Sequence, residues 1–108
     1  MSFDPMAAAV DWLDAYRAGD IEAILGMYAE DAVIVCGCGG TKTVTGREGR
    51  RAYWVDRLIG SPASQLDNLQ QSGDGALISY FVRDSVVSAV LRFNAAGQVS
   101  THTCGPSN

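Results

Sequence analysis

"WLDAYRAGDIEAILGMYAEDAVIV", residues 12–35, joins two helical patterns through a glycine-aspartate break and ends in a β-branched run. Its first half continues a helix that begins earlier. Asp4 can cap free amides, and Pro5 is pre-set for the first helical position. Met6, Ala9, Val10, Leu13 and Tyr16 then recur at helical spacing, with Trp12 beside them. Gly19 stops this helix, because glycine takes the left-handed conformation cheaply. Asp20 caps a second helix. Its apolar face is Ile21, Ile24, Leu25 and Tyr28, and the pattern carries it to about Glu30. Residues 32–36, AVIVC, then read as a strand.

Downstream, "GCGGTKTVTG" (37–46) is a loop or hairpin that leads to a third helix over about 47–59. "GSPAS" (60–64) ends that helix. Strands follow at about 65–72, 76–83, 85–93 and 98–104. Asp74-Gly75, Arg83-Asp84 and "NAAGQ" (94–98) mark the turns. The order is helix, helix, strand, helix, then an antiparallel run. That is an α+β chain with three N-terminal helices on one face of a strongly curved sheet.

The bulk composition sets limits. The 108 residues are one domain by length, and 47% of them are hydrophobic against 19% charged, as in a globular chain. The net charge of −4 argues against nucleic acid, which needs a clustered positive surface. No apolar run approaches the ~20 residues that cross a bilayer. The opening "MSFDPMAAAVDWLDAY" has no basic start, so it reads as part of the fold rather than a signal peptide. Three cysteines, an odd number, suit free thiols in a reducing cytoplasm.

The 12–35 segment, then "TGREGRRAYW" (45–54), then "LRFNAAGQV" (91–99), resemble the nuclear-transport-factor-two-like superfamily. That group includes the SnoaL-like proteins and the ketosteroid isomerases. The resemblance covers nearly the whole chain, residues 1–108. It implies a cystatin-like cone with a mixed or antiparallel sheet and a pocket under the helices. It also implies a homodimer formed through the outer sheet face, where Val86, Ser88 and Val90 alternate.

Fold alone does not give function in such a group. In ketosteroid isomerases a tyrosine and an aspartic acid stabilise an oxyanion while an aspartate moves the proton. On this chain the matching positions fall on Trp12, Ala89 and Cys36. The functional groups are gone, and with them that mechanism. The Asp–Arg–Asp arrangement of epoxide-hydrolase relatives is not matched either, because Arg83 and Asp84 fall at a turn.

The resemblance places Trp12, Tyr16, Tyr28, Arg50 and Trp54 on the helical side of the pocket. It places Cys36, Ala89, Leu91, His102 and Cys104 on the strand side. His102 is the single histidine, and Cys36 with His102 is the one nucleophile–base pairing on offer. Set against it is a small buried thiol in an apolar wall. Cys36-x-Cys38 with His102-x-Cys104 offers zinc ligands, but C-x-C in a glycine run is a weak signal. A Cys36–Cys104 disulfide is a further option. We expect no metal and no cofactor.

An inward Arg50 would select a carboxylate or another planar anion. Periodicity disagrees, because Trp54, Val55, Leu58 and Ile59 centre their face nearer Arg51 and leave Arg50 at the surface. The four helix-side aromatics are either core or the lining for a flat apolar ligand. Asp11, Asp14, Glu22, Glu30 and Asp56 read as solvated helix faces, and Asp67 and Asn68 lie near a sheet edge. Two functions stand: a small-molecule protein, either a lyase or isomerase-type enzyme or a carrier of an apolar or carboxylate-bearing ligand, or a non-catalytic dimeric interaction module. An open cavity reached by His102 separates the first from a cavity filled by Trp12, Tyr16 and Trp54.

Overall fold

Asp4 opens α1 (Pro5–Ala18) as its pattern requires. Its carboxylate accepts from the Met6 amide at 3.0 Å, and Pro5 takes the first position. These coordinates are a computed structural model that describes residues 3–36, 42–83 and 85–106, with backbone alone for Cys36, Lys42 and Pro106. Gly19 ends α1 in the left-handed region at φ 70°. Its amide and that of Asp20 bond back to Tyr16 and Ala15. Asp20 then caps α2 (Ile21–Gly26) by accepting from the Ala23 amide at 3.2 Å.

Helix α2 is a turn shorter than its apolar spacing suggests. It stops at Gly26, and Tyr28 is the first residue of β1 (Tyr28–Cys36) rather than part of the helical face. The reason is tertiary. The Val99 amide donates to the Met27 carbonyl at 2.8 Å, and Tyr28 pairs with Val99. Strand pairing claims the segment, and glycine is a weak helix former at that point.

Strand β2 (Lys42–Thr45) pairs antiparallel with β1, so the hairpin reading of this region holds. Its tip, with Cys38, lies outside the described residues. Helix α3 (Arg47–Gly60) follows. It leads to β3 (Ala63–Ser72), β4 (Gly75–Val82), β5 (Ser85–Phe93) and β6 (Val99–Pro106). The described strands form one six-stranded sheet in the order β2-β1-β6-β5-β4-β3. The β1–β6 pair is parallel and the others are antiparallel, so the sheet is mixed. The register shifts in β1–β6, β3–β4 and β5–β6 are of the kind that bends a strand.

The β3–β4 turn has its own constraint. A Cβ on Gly75 would lie 2.1 Å from the Leu91 carbonyl oxygen, so no other residue fits there without backbone movement. Arg83, at φ 55°, turns the chain between β4 and β5, and its expected neighbour Asp84 lies outside the described residues.

The concave face of the sheet presents Ile78 and Tyr80 of β4, Ala89 and Leu91 of β5, and His102 and Cys104 of β6, all buried. Helix α1 covers it with Ala9, Trp12, Leu13 and Tyr16, and α3 with Arg50, Tyr53 and Trp54. That α3 stripe differs from the apolar count. Val55 is 43% exposed and Ile59 76% exposed, so neither belongs to the inward face. The five carboxylates read as solvated, Asp11, Asp14, Glu22, Glu30 and Asp56, are all exposed. So are Asp67 and Asn68 on β3.

Candidate functional site

Three elements meet at Tyr28. Trp12, buried on α1, donates its indole Nε1–H to the Tyr28 hydroxyl at 3.1 Å. The same hydroxyl lies 2.8 Å from His102 Nδ1 on β6. An indole nitrogen only donates, so the Tyr28 oxygen accepts from Trp12. The phenol proton is then free to go to Nδ1. That assigns the His102 proton to Nε2, which is buried with no partner among the described residues.

The imidazole is held neutral. Burial, then the Arg57 guanidinium, push the His102 pKa down to about 3. Burial raises the Tyr28 hydroxyl above its ordinary value, while the indoles of Trp12 and Trp54 and the charge of Arg50 work against the rise. At neutral pH His102 is therefore a weak base and a hydrogen-bond donor.

Aromatic rings pack around this chain. Trp12 makes edge contacts with Tyr16, Trp54, Tyr80 and His102 at centroid distances of 5.8, 5.7, 5.7 and 5.3 Å. Trp54 stacks on His102 at 6.1 Å. The Tyr16 hydroxyl donates to the Ser61 carbonyl and ties α1 to the end of α3. Of the remaining strand-side residues, Ala89 and Leu91 form apolar wall, and the Cys104 sulfur lies 3.5 Å from the Tyr53 hydroxyl.

Arg57 closes the aromatic group from α3. Its guanidinium carbon sits 6.0 Å from the ring centroids of both Tyr16 and Tyr53. Burial opposes its charge, but the phenols of Tyr80, Tyr53 and Tyr16 outweigh this and hold its pKa above the arginine norm. Tyr80 is raised by burial, with Arg57 opposing. Four buried side-chain atoms have no hydrogen-bond partner among the described residues: Trp54 Nε1, Arg57 Nε, Tyr80 Oη and His102 Nε2. Each can donate. Among the described residues the buried polar or charged ones are Arg50, Ser79 and His102, and no carboxylate is among them.

Sequence reasoning found Trp12, Tyr16, Tyr28, Trp54, Ala89, Leu91, His102 and Cys104 in this interior. It missed Tyr80, Tyr53 and Arg57. Arg50, Tyr53, Trp54 and Arg57 follow i, i+3, i+4, i+7 spacing, which is a helical face. Counting apolar residues alone hides it, because arginine occupies both ends. Arg50 itself is 4% exposed and donates from Nη1 to the Ala32 carbonyl at 3.2 Å, so the surface reading is overturned. It also lines a cleft of about 410 Å³ with Glu22, Leu25, Tyr28, Arg47 and Arg51.

Cys36 and Cys104 are Cα partners across β1 and β6, next along the ladder from Ile34 and His102 with one pair between. The Cys36 side chain and all of Cys38 lie outside the described residues, so the thiol pairing, disulfide and zinc options are not described here. Among the described residues no group of three or more histidine, cysteine or acidic side chains is placed to hold a metal.

The SnoaL-like domain profile matches residues 9–103. The chain belongs to the SnoaL-like family. No curated protein matches it. Solved structures support the fold. A SnoaL-like protein of unknown function from Burkholderia thailandensis superposes with a TM-score of 0.81 at 19% identity, over 96% of this chain and 95% of the other. An uncharacterised cystatin-fold protein from Novosphingobium aromaticivorans gives 0.76 at 19% identity, over 96% and 99%. SalBIII, an epoxide hydrolase/cyclase-like enzyme with a role in pyran ring formation in the polyether salinomycin, gives 0.76 at 16% identity, over 94% and 88%. These SnoaL-like and cystatin-fold neighbours match the α+β cone expected from the sequence. Among the described residues, the interior of this SnoaL-like chain offers donors in place of carboxylates.

Proposed function

We propose that this SnoaL-like protein binds a small organic molecule bearing a carbonyl or carboxylate oxygen in its aromatic interior. The observation that carries the reading is the set of four buried polar atoms, on Trp54, Arg57, Tyr80 and His102, that make no close hydrogen bond among the described residues. Each unpaired buried donor costs about 1–3 kcal/mol, which an acceptor oxygen recovers. Flat aromatic walls suit an unsaturated or cyclic guest. In a lyase or isomerase-type reaction, the neutral His102 Nε2–H, Tyr80 hydroxyl and Arg57 would stabilise an oxyanion as it forms. Cys36 is the candidate nucleophile.

A second reading has its own support. Trp12, Tyr16 and Trp54 are each at most 1% exposed and pack edge to face, which suits a filled, non-catalytic module. Cyclohex-2-enone is the test probe, with the two tryptophan indole N–H signals read by NMR. Binding in the interior shifts the Trp54 signal most, because that N–H is unpartnered, and His102→Ala weakens it. Indole signals unmoved at millimolar probe, with the fold intact, sink the binding reading in favour of the filled module.

The partner we propose is a second copy of the chain. Leu77, Phe81, Val86 and Val90 stand partly exposed on the outer face of β4 and β5, around the Ser79–Ser88 hydroxyl pair at 2.8 Å. A monomeric mass at micromolar concentration rejects this. No helix among the described residues is long and apolar enough to cross a membrane. The reducing cytoplasm is the location that the odd cysteine count supports.

A further inference from the structure

We propose that the cleft between α2, α3 and the start of β1 binds an organic monocarboxylate, at a site separate from the aromatic interior. The cleft has a volume of about 410 Å³. That is room for an aryl or short acyl carboxylate rather than a bare inorganic ion. Three guanidiniums line it, those of Arg47, Arg50 and Arg51, in a protein whose net charge is −4.

Two of the three are matched. Arg47 pairs with Glu30, and Arg51 with Glu22 at 2.8 Å, both pairs exposed at the rim. Arg50 differs. It is 4% exposed, and its one hydrogen bond among the described residues goes to the Ala32 carbonyl at 3.2 Å. No carboxylate of the described residues lies within ion-pair distance. A guanidinium has five N–H donors in a fixed fork that fits a carboxylate in bidentate fashion. A buried charge without a counterion is unfavourable, so a carboxylate entering the cleft supplies what the chain leaves out.

The charge count selects the ligand. Three guanidiniums against Glu22 and Glu30 leave one positive charge over. A monoanion balances it, whereas a dianionic phosphate would bring a second negative charge up to both glutamates. Leu25 and Tyr28 also line the cleft. The Tyr28 hydroxyl is already engaged by Trp12 and His102, neither of which lines this cleft.

Isothermal titration with sodium benzoate at low ionic strength tests the site. We expect one saturable site whose affinity drops about tenfold or more in Arg50→Gln and less in Arg50→Lys. Glu22→Gln with Glu30→Gln keeps Arg50 in place, and by removing rim repulsion it should tighten benzoate about two- to fivefold. Inorganic phosphate should bind more weakly than benzoate, and the Trp12 and Trp54 indole signals should stay near their free positions. Lack of saturation overturns the proposal. So does affinity unchanged in both the Arg50 and the glutamate variants, or phosphate binding tighter than benzoate. A dominant shift of the indole signals would place the carboxylate in the interior, which also rejects the cleft while leaving the interior reading standing.

Discussion

Arg50 and Arg57 sit two turns apart on one stripe of α3, yet they serve two unlike spaces. Arg57 reaches into an interior of aromatic rings, with Tyr16 and Tyr53 each 6.0 Å away and Tyr80 beside it. Arg50 ends in a cleft whose glutamates are committed to other arginines. The interior is short of acceptors for its neutral donors, and the cleft is short of one negative charge. A polar residue on a helix face is thus given its role by what the neighbouring elements leave unpaired, not by its own spacing.

Removal of an interior ring should separate the two spaces most sharply. Trp12→Ala should cost about 3–5 kcal/mol in chemical denaturation, as buried aromatic truncations do. A much smaller loss would mean that the interior is loosely filled.

Mild acid should act on the interior through His102. His102 takes its proton at about pH 3 when folded and near 6.5 when unfolded, so the unfolded chain gains the proton first as pH falls. The stability due to neutral His102 is fully present above pH 6.5 and is lost on the way down to about 3. The slope should approach about 1.4 kcal/mol per pH unit. His102→Leu should flatten the curve between pH 6.5 and 5. An unchanged slope would mean that the imidazole is not buried neutral.

Two tyrosines sharpen the point further. Tyr28→Phe leaves both the Trp12 indole and His102 Nδ1 unpaired and should cost about 1–3 kcal/mol. Tyr80→Phe removes a hydroxyl that has no close hydrogen bond among the described residues, with Arg57 as its charged neighbour, and should cost less than about 1 kcal/mol. If both variants lose equally, the donor asymmetry of the interior is wrong. The smallest effect belongs to the cleft rim. Glu22→Gln breaks an exposed pair with Arg51 and should change thermal stability by less than about 1 kcal/mol.

Much of the frame was legible. Asp4-Pro5, Gly19 and Asp20 punctuate α1 and α2 through local hydrogen bonds, and local chemistry is what a sequence spells out. Tyr28 was not legible as a strand residue. Ile21, Ile24, Leu25 and Tyr28 satisfy the helical period, and the decision lies with Val99, some seventy residues on. Arg57 was missed for a related reason. A charged residue at a helix's inward position looks exposed until the tyrosines of α1, α3 and β4 surround it.

The sequence by itself determined most of the element order, the break between the first two helices at Gly19 and Asp20, and the family. Those are matters of residue identity, local spacing and backbone preference. Only the tertiary structure decided which polar atoms go unpaired, that His102 is held neutral, and that Arg50 and Arg57 face different spaces. Those properties depend on desolvation and on partners brought from distant strands, and neither quantity is encoded in the residues next door.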